Sequence, residues 1–298
     1  MRNEFRYTSK TPLNELSYAL LIAAAVALIQ AFGEPLRHAL AVRFTLAEVF
    51  VGLGFALYMT VFWLAGGFYL LCDRFGWLQR YRVQRRPDGT VRDRSPGRLR
   101  HTVRVVLQNQ LLGTLPVLGG VYFLMRWRGM SLDAPTPGAL EMLLHLALIV
   151  LVEEVLFYAV HVAMHTKPLM KRFHRIHHEY KEPIGITTHY VHPVEHLFGN
   201  LMPIFAGPLL VGAHLYTTLI WVVVAVINAI HTHSNYDFPW MSWSVDHDFH
   251  HYNVRGNYGA LGLMDRVFGT WLVDGQAARP DPAPETAPAA EAALKAGR

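Results

Sequence analysis

Cysteine is nearly absent: Cys72 is the only one in 298 residues. A disulfide framework and any multi-cysteine zinc or iron–sulfur site are therefore excluded. Charge is also scarce. Asp, Glu, Lys and Arg make up 16% of the chain, where an ordinary soluble domain carries roughly 25%. With 52% apolar residues and a mean hydropathy of +0.20, a simple soluble globule is a poor fit. There is no G-x-G-x-x-G fingerprint, no H-E-x-x-H pair and no repeat at solenoid periods.

What is present is a series of long runs without formal charge. Leu16 to Phe32, Phe50 to Cys72 and Val105 to Met125 span 17, 23 and 21 residues. A helix needs about 20 such residues to cross a bilayer. Leu143 to Met164 is as long but holds Glu153 and Glu154, and Leu197 to Ile230 runs 34 residues uncharged. One helix of that length would reach roughly 50 Å, too long for a ~30 Å hydrocarbon core. Gly207-Pro208 and Gly212 offer places to fold it into a hairpin. The expected fold is an all-α integral membrane protein: four transmembrane helices plus a membrane hairpin, with a cytosolic helical cap that carries histidines. A soluble bundle would need polar stripes that several of these runs lack. The first run is preceded by Glu4 and Glu15 and lacks a small-residue cleavage site, so it reads as an anchor rather than a signal peptide.

Basic residues orient the chain. Residues 73–104 hold ten arginines and three acids. Arg2, Arg6 and Lys10 precede the first run, and Lys167, Lys171, Arg172, Arg175 and Lys181 follow the fourth. The positive-inside bias places all three segments in the cytoplasm. Between two spans, the basic loop 73–104 reads as topology and contact with anionic headgroups, not as nucleic-acid binding. The domains expected are an N-terminal transmembrane region (1–138), a histidine-bearing region (139–275) and a disordered Ala/Pro-rich tail (276–298). The excess of Arg over Lys and this tail suggest a bacterial inner membrane; the endoplasmic reticulum is the eukaryotic equivalent.

Fourteen of the 17 histidines fall between His161 and His251, less than a third of the chain. His161 and His165 are spaced i, i+4. His174, His177 and His178 are spaced i, i+3, i+4, and His247, His250 and His251 repeat that pattern. Such positions share one helix face, so each group can aim imidazoles at a common point. Imidazole is the commonest metal ligand. Eight imidazoles exceed the four that one zinc takes, so two metals are expected. His38, His101, His145 and His214 read as ordinary interfacial residues. His189, His192, His196, His231 and His233 lie between the clusters, and spacing alone leaves each open as ligand or supporting group.

A carboxylate inside a membrane helix is costly and marks a functional site by default. Glu154 precedes His161 by seven residues and His165 by eleven. At ~100° per residue it returns to within about 20° of their face. It is expected to stand behind the ligands and accept a distal imidazole N–H, which fixes tautomer and orientation. Glu153 lies about 80° off that face and is the weaker candidate. Asp265 and Arg266 read as a structural ion pair near the last helix.

The three histidine groups, H-x3-H, H-x2-H-H and H-x2-H-H, resemble the boxes of the fatty acid hydroxylase/sterol desaturase superfamily of membrane di-iron enzymes. The resemblance runs from about Glu153 to Thr270. It is nearest to the C4-methylsterol oxidase branch in Glu153-Glu154 before Phe157-Tyr158, Pro183-Ile184-Gly185, His192-Pro193-x-Glu195, H-S-x-Y-D-x-P at His233, Asn257-Tyr258-Gly259 and Met264 to Thr270. Asn235 departs from that branch, which usually has glycine there, and the segment between His233 and His247 is short. The resemblance makes His192 and His233 the preferred additional ligands, giving ten with His161, His165, His174, His177, His178, His247, His250 and His251.

The resemblance implies two iron ions, O2 as cosubstrate and a lipid substrate, sterol-like or fatty acyl. Overexpression can load zinc in their place. Hydroxylation is favoured over desaturation with the same site. The chain shows no dinucleotide fingerprint, no four-cysteine cluster site and no haem-binding paired-histidine motif outside the boxes, so a separate reductase, ferredoxin or cytochrome is expected to supply electrons; the basic loop 73–104 is a candidate docking surface. A membrane zinc hydrolase would need no reductant, and two H-x2-H-H boxes are more than it requires. A metal carrier would set its ligands across the midplane of the membrane, whereas these groups flank the spans.

Overall fold

The computed structural model describes residues 4–5, 16–85, 96–241 and 244–272. The tail 276–298 and residues 86–95 of the basic loop lie outside the described residues. Six long helical segments run between two ends of the molecule. α1 is Leu16–Ala41, α2 Glu48–Phe75, α3 residues 96–127, α4 Ala139–Met164, α5 Pro193–Val211 and α6 Leu215–Thr232. Two short helices follow, α7 Ser244–Asn253 and α8 Leu263–Phe268. Among the described residues the only strand pairing is a two-residue ladder, Glu4–Phe5 against Gln84–Arg85.

Five of the six are long and apolar enough to cross a membrane: α1, α2, α4, α5 and α6. The third apolar run folds as the second half of α3 and falls outside that set. It contains Gln108, Asn109 and Gln110, and Asn109, Gln110 and Thr114 are buried on a π-helical turn at Asn109–Thr114. The polar row faces the protein: Asn109 Nδ2 donates to the carbonyls of His189 and Val191. Lipid-facing surface is just as legible. Leu20, Phe32, Leu64 and Leu140 are exposed large apolar side chains on α1, α2 and α4. In water such surface would be a liability; in a bilayer it is the required exterior. α6 is the central helix, with 61% of its most apolar window buried against 11% for α1.

The hairpin turns where the sequence allows, but at one of the two expected places. Gly212 ends α5 with φ +63° and its N–H on the Pro208 carbonyl, a left-handed ending that favours glycine. Gly207 and Pro208 instead stay inside α5. A Cβ on Gly207 would lie 2.9 Å from Ile149 Cα, so this glycine lets the backbones of α4 and α5 touch, as small residues do between membrane helices.

Connections at the two ends differ. At one end, Arg37 donates to the Leu132 carbonyl, Arg128 to those of Leu209 and Leu210, and Tyr216 to that of Gly33. The other end carries the histidines. There the start of α1, the ends of α2, α4 and α6 and the starts of α3 and α5 converge. Tyr18 bonds Asn228, Tyr69 bonds His231, and Arg98 lies over the Tyr180 ring.

Candidate metal centre

The histidine end is built from one regular helix terminus and several short turns. His161 lies in the last turn of α4 and His165 follows it. The chain then makes a π turn at Met170–His174 and a 3₁₀ turn at His177–Glu179. His233 follows the end of α6, and α7 carries His247, His250 and His251.

Nine of these side chains gather into two groups. His161, His165, His174, His178 and His250 form one; His177, His233, His247 and His251 form the other. In each group the candidate ligand atoms lie within 4.8 Å of one another. The boxes do not each aim at one point, as spacing first suggested. Positions i and i+4 stay together: 161 with 165, 174 with 178, 247 with 251. The remaining histidine of each three-histidine box crosses over. Adjacent residues on a helix diverge by about 100°, so His177 and His178, like His250 and His251, serve different groups.

The nitrogens show what the groups can hold. His161, His250, His251 and His233 donate Nδ1–H to the carbonyls of Tyr258, Gly256, Tyr180 and Ala229 at 2.7, 2.7, 3.0 and 2.8 Å. A carbonyl only accepts, so these neutral rings present Nε2 as a bare lone pair. Those lone pairs converge. In the first group, His165 Nε2 is 3.0 Å from that of His174 and 3.1 Å from that of His250, and His178 is 3.0 Å from His174. In the second, His233 is 2.9 Å from His247 and 3.2 Å from His177. His161 Nε2 is buried with no hydrogen-bond partner among the described residues. In the five rings whose Nδ1–H is engaged, the Nε2 lone pairs point into the groups, and convergent lone pairs repel unless a proton or a cation sits between them. The donor set fits a metal in each group.

Electrostatics keep the rings neutral. Burial first, then neighbouring imidazoles, holds His177, His178, His247, His250 and His251 well below the usual histidine range. Burial pulls His233 down to about 4 and His174 down to about 2. Neutral imidazole is the metal-binding form.

The acids stand elsewhere than expected. Glu154 is buried, but its oxygens accept the backbone N–H groups of Leu261 and Met264 at 2.7 and 2.9 Å rather than a ligand imidazole. It thus secures the 258–264 loop, whose Tyr258 carbonyl takes the His161 Nδ1–H. The carboxylate directly behind a ligand is Glu195, 2.7 Å from His174 Nδ1. Sequence reasoning missed that role, although Glu195 lies in the H-P-x-E motif it noted. Asp265 and Arg266 do not pair. Asp265 accepts the N–H groups of Tyr258 and Gly259 and the Thr270 hydroxyl; Arg266 lies over the Trp271 ring.

The five undecided histidines also separate. His233 joins the second group. His192 joins neither; it precedes α5 and its Nδ1 accepts the Val194 N–H. His189 and His231 pair through Nδ1 with the hydroxyls of Tyr58 and Tyr69 at 2.9 and 2.8 Å, and His196, whose Nδ1 accepts the Asn200 amide, donates Nε2–H to the Thr114 hydroxyl oxygen at 2.8 Å.

A largely apolar cavity of about 350 Å³ adjoins both groups. Ile22 of α1, Val150 and Phe157 of α4, and Trp221 and Val224 of α6 line it, with His161, His177 and His247 at one end.

Comparison with known proteins agrees with this geometry. The fatty acid hydroxylase family model matches residues 146–270. Fatty acid hydroxylase domain-containing protein 2 of Macaca fascicularis and of Homo sapiens are each 35% identical over 212 residues, 70% of this chain. The match spans 63% of the length of those two relatives. Very-long-chain aldehyde decarbonylase GL1-11 of Oryza sativa subsp. indica is 34% identical, and methylsterol monooxygenase 2-2 of Arabidopsis thaliana 32%; each match covers 72% of this chain and 83% of the relative. No solved structure matches significantly.

Proposed function

The chain belongs to the fatty acid hydroxylase family, and from that premise we propose that it is a membrane-bound, O2-dependent di-iron oxidoreductase that hydroxylates an unactivated C–H bond of a lipid. The observation that carries this reading is the convergence of nine Nε2 atoms in two adjacent groups beside an apolar cavity. One iron would be held by His161, His165, His174, His178 and His250, the other by His177, His233, His247 and His251. When bound, the pair supplies the O2 and electron chemistry that no side chain provides.

The chain's own residues do the rest. Backbone carbonyls and Glu195 hold the Nδ1 protons of His161, His174, His233, His250 and His251 in place, so their Nε2 lone pairs stay aimed inward. Glu154 acts one step further back, through the 258–264 loop. The apolar cavity admits an alkyl or ring system and keeps bulk water from the reacting carbon. Its lining from α1, α4 and α6 suits lateral entry of a sterol-like or fatty acyl substrate from the bilayer. Residues 139–275 form the hydroxylase domain of this reading. Electrons come from a separate donor. Lys167, Lys171, Arg172 and Arg175 lie among the histidine turns, which favours a cytosolic site.

The test is metal analysis and turnover of protein purified without oxygen and reconstituted with iron. Two irons per chain are expected, with oxidation of a lipid extract that requires both O2 and a reductant. A product gaining one oxygen supports hydroxylation; one losing two hydrogens means desaturation. A single tightly held zinc with reductant-independent hydrolysis would overturn the reading.

A further inference from the structure

The adjacent carboxylates Glu153 and Glu154 have opposite fates. Glu154 is buried with both oxygens on backbone N–H groups. Glu153 is half-buried, lines the cavity, and makes no hydrogen bond or ion pair with any described residue. It stands in the second half of a membrane-length helix, where an unpartnered carboxylate is costly. A second polar side chain opens onto the same cavity from α6. Asn228 accepts the Tyr18 hydroxyl through Oδ1 at 2.8 Å, and its amide N–H groups have no partner among the described residues. Ile22, Val150, Phe157, Trp221 and Val224 make the apolar part of the lining, and the polar Thr188, Glu195, Asn200 and Asp246 enter it from α5, α7 and the turns. An acceptor and a donor thus line one largely apolar cavity with no partner for them among the described residues.

Both lie at a similar depth from the histidines. Glu153 precedes His161 by eight residues along α4 and Asn228 precedes His233 by five along α6. At 1.5 Å per residue these offsets are about 12 and 7.5 Å. The polar pair therefore stands on the order of 10 Å from the metal-binding end. It is placed to hold one part of a ligand while another part reaches the histidines.

We propose that Glu153 and Asn228 form a recognition site for a hydroxyl group, so that the substrate is a long-chain or polycyclic lipid alcohol. This deepens the functional reading above and rests on it for the word substrate. A hydroxyl both donates and accepts: its O–H bonds Glu153 while its lone pair takes an Asn228 N–H. An anionic headgroup would bring its charge into a largely apolar space whose lining holds no lysine or arginine. A pure hydrocarbon would desolvate the carboxylate and return nothing. An amine would satisfy Glu153 but turn more donors toward the Asn228 amide.

Binding tests this without turnover. The full chain in lipid nanodiscs is titrated with bromine-labelled hexadecanol, hexadecane or hexadecylamine, and quenching of Trp221 at the cavity wall is read, with Trp221→Phe as the control. The alcohol is expected to half-saturate the quenching at about tenfold lower concentration than the alkane. Glu153→Leu should shrink that preference to within about twofold, and Glu153→Gln, which keeps an acceptor, should retain most of it. Asn228→Leu is the independent second variant and should also erode it. Equal binding of alcohol and alkane, an unchanged preference in Glu153→Leu and Asn228→Leu, or tighter binding of the amine would overturn the proposal. Zinc-loaded, inactive protein serves equally well, so a failure here leaves the oxidation reading standing. Preserved alcohol preference without O2-dependent turnover would remove that reading alone.

Discussion

The protein buries two sets of histidines, and what their nitrogens face separates them. In the set at the ends of α4, α6 and α7, Nδ1–H groups go to carbonyls or Glu195 and the Nε2 atoms crowd together. In the set packed among α2, α3, α5 and the end of α6, a hydroxyl from another helix meets each ring: Tyr58 on His189, Thr114 on His196, Tyr69 on His231. Both sets are almost wholly buried. Burial and residue type therefore do not mark a ligand. Convergence of the Nε2 atoms of several rings on one point does. The second set ties helices together with ordinary hydrogen bonds, each worth about 1 kcal/mol.

The largest expected contrast comes from deleting one member of the first set. His178→Ala or His250→Ala should abolish lipid oxidation and lower bound metal, while the protein still inserts in the membrane. Metal content and product yield on the purified variants check this; full activity in either would sink the ligand assignment. Acid should act in the same direction on the wild type. With a folded-state pKa held below an unfolded value of about 6.5, the unfolded chain takes up protons first as pH falls. Stability of the metal-free protein is thus fully present above about 6.5 and declines below it, by up to about 1.4 kcal/mol per pH unit for each such histidine. The thermal midpoint of metal-free protein should drop between pH 7.5 and 5.5. A flat profile would mean that the buried rings of the first group, His178 and His250 among them, open to water before they titrate.

Glu195 and Glu154 sharpen the comparison one step out. Glu195→Ala removes the acceptor for the His174 Nδ1–H and should weaken metal binding by about 10- to 100-fold, the usual cost of such a partner. Glu195→Gln should recover part of it. Glu154→Gln should cost less, because that carboxylate holds a loop whose carbonyl in turn holds His161. Competition with a chelator ranks the three. Glu154→Gln falling below Glu195→Ala would restore Glu154 to the direct role that spacing gave it.

Much of this was legible in the sequence. Four of the five apolar runs located the spans, the third excepted, and the box spacing marked the eight histidines that gather at one end. Helical angles even contain the division into two groups, since i and i+4 share a face while neighbours diverge. What spacing could not supply was the partner of each second nitrogen. His192 and His233 each follow or precede a hydrophobic span and look alike in sequence. Only the fold shows His192 turned back to the start of α5, with His233 among the ligands. Glu154 was misjudged for a related reason. Helix angle places it on the right face but says nothing of the loop at 258–264, which returns from more than 100 residues away to occupy its oxygens.

The smallest effect tests the second set. Thr114→Val removes a hydroxyl from His196 Nε2 and puts a methyl in its place. The ring keeps a contact at Nδ1 from Asn200, so one hydrogen bond is lost, not two. A loss of about 1 kcal/mol in stability is expected, read as a modest shift in the thermal midpoint. Metal content and the pH at which metal is released should not move, because His196 contributes to neither group. If Thr114→Val did lower bound metal, the boundary between the two sets would be in the wrong place. The contact between the π turns of α3 and α5, where Thr114 and His196 meet, would then be part of the metal centre's scaffold. The same carboxylate-to-imidazole arm that fixes His174 starts from Glu195, the residue just before His196, so this is the shortest path by which the two sets could be coupled.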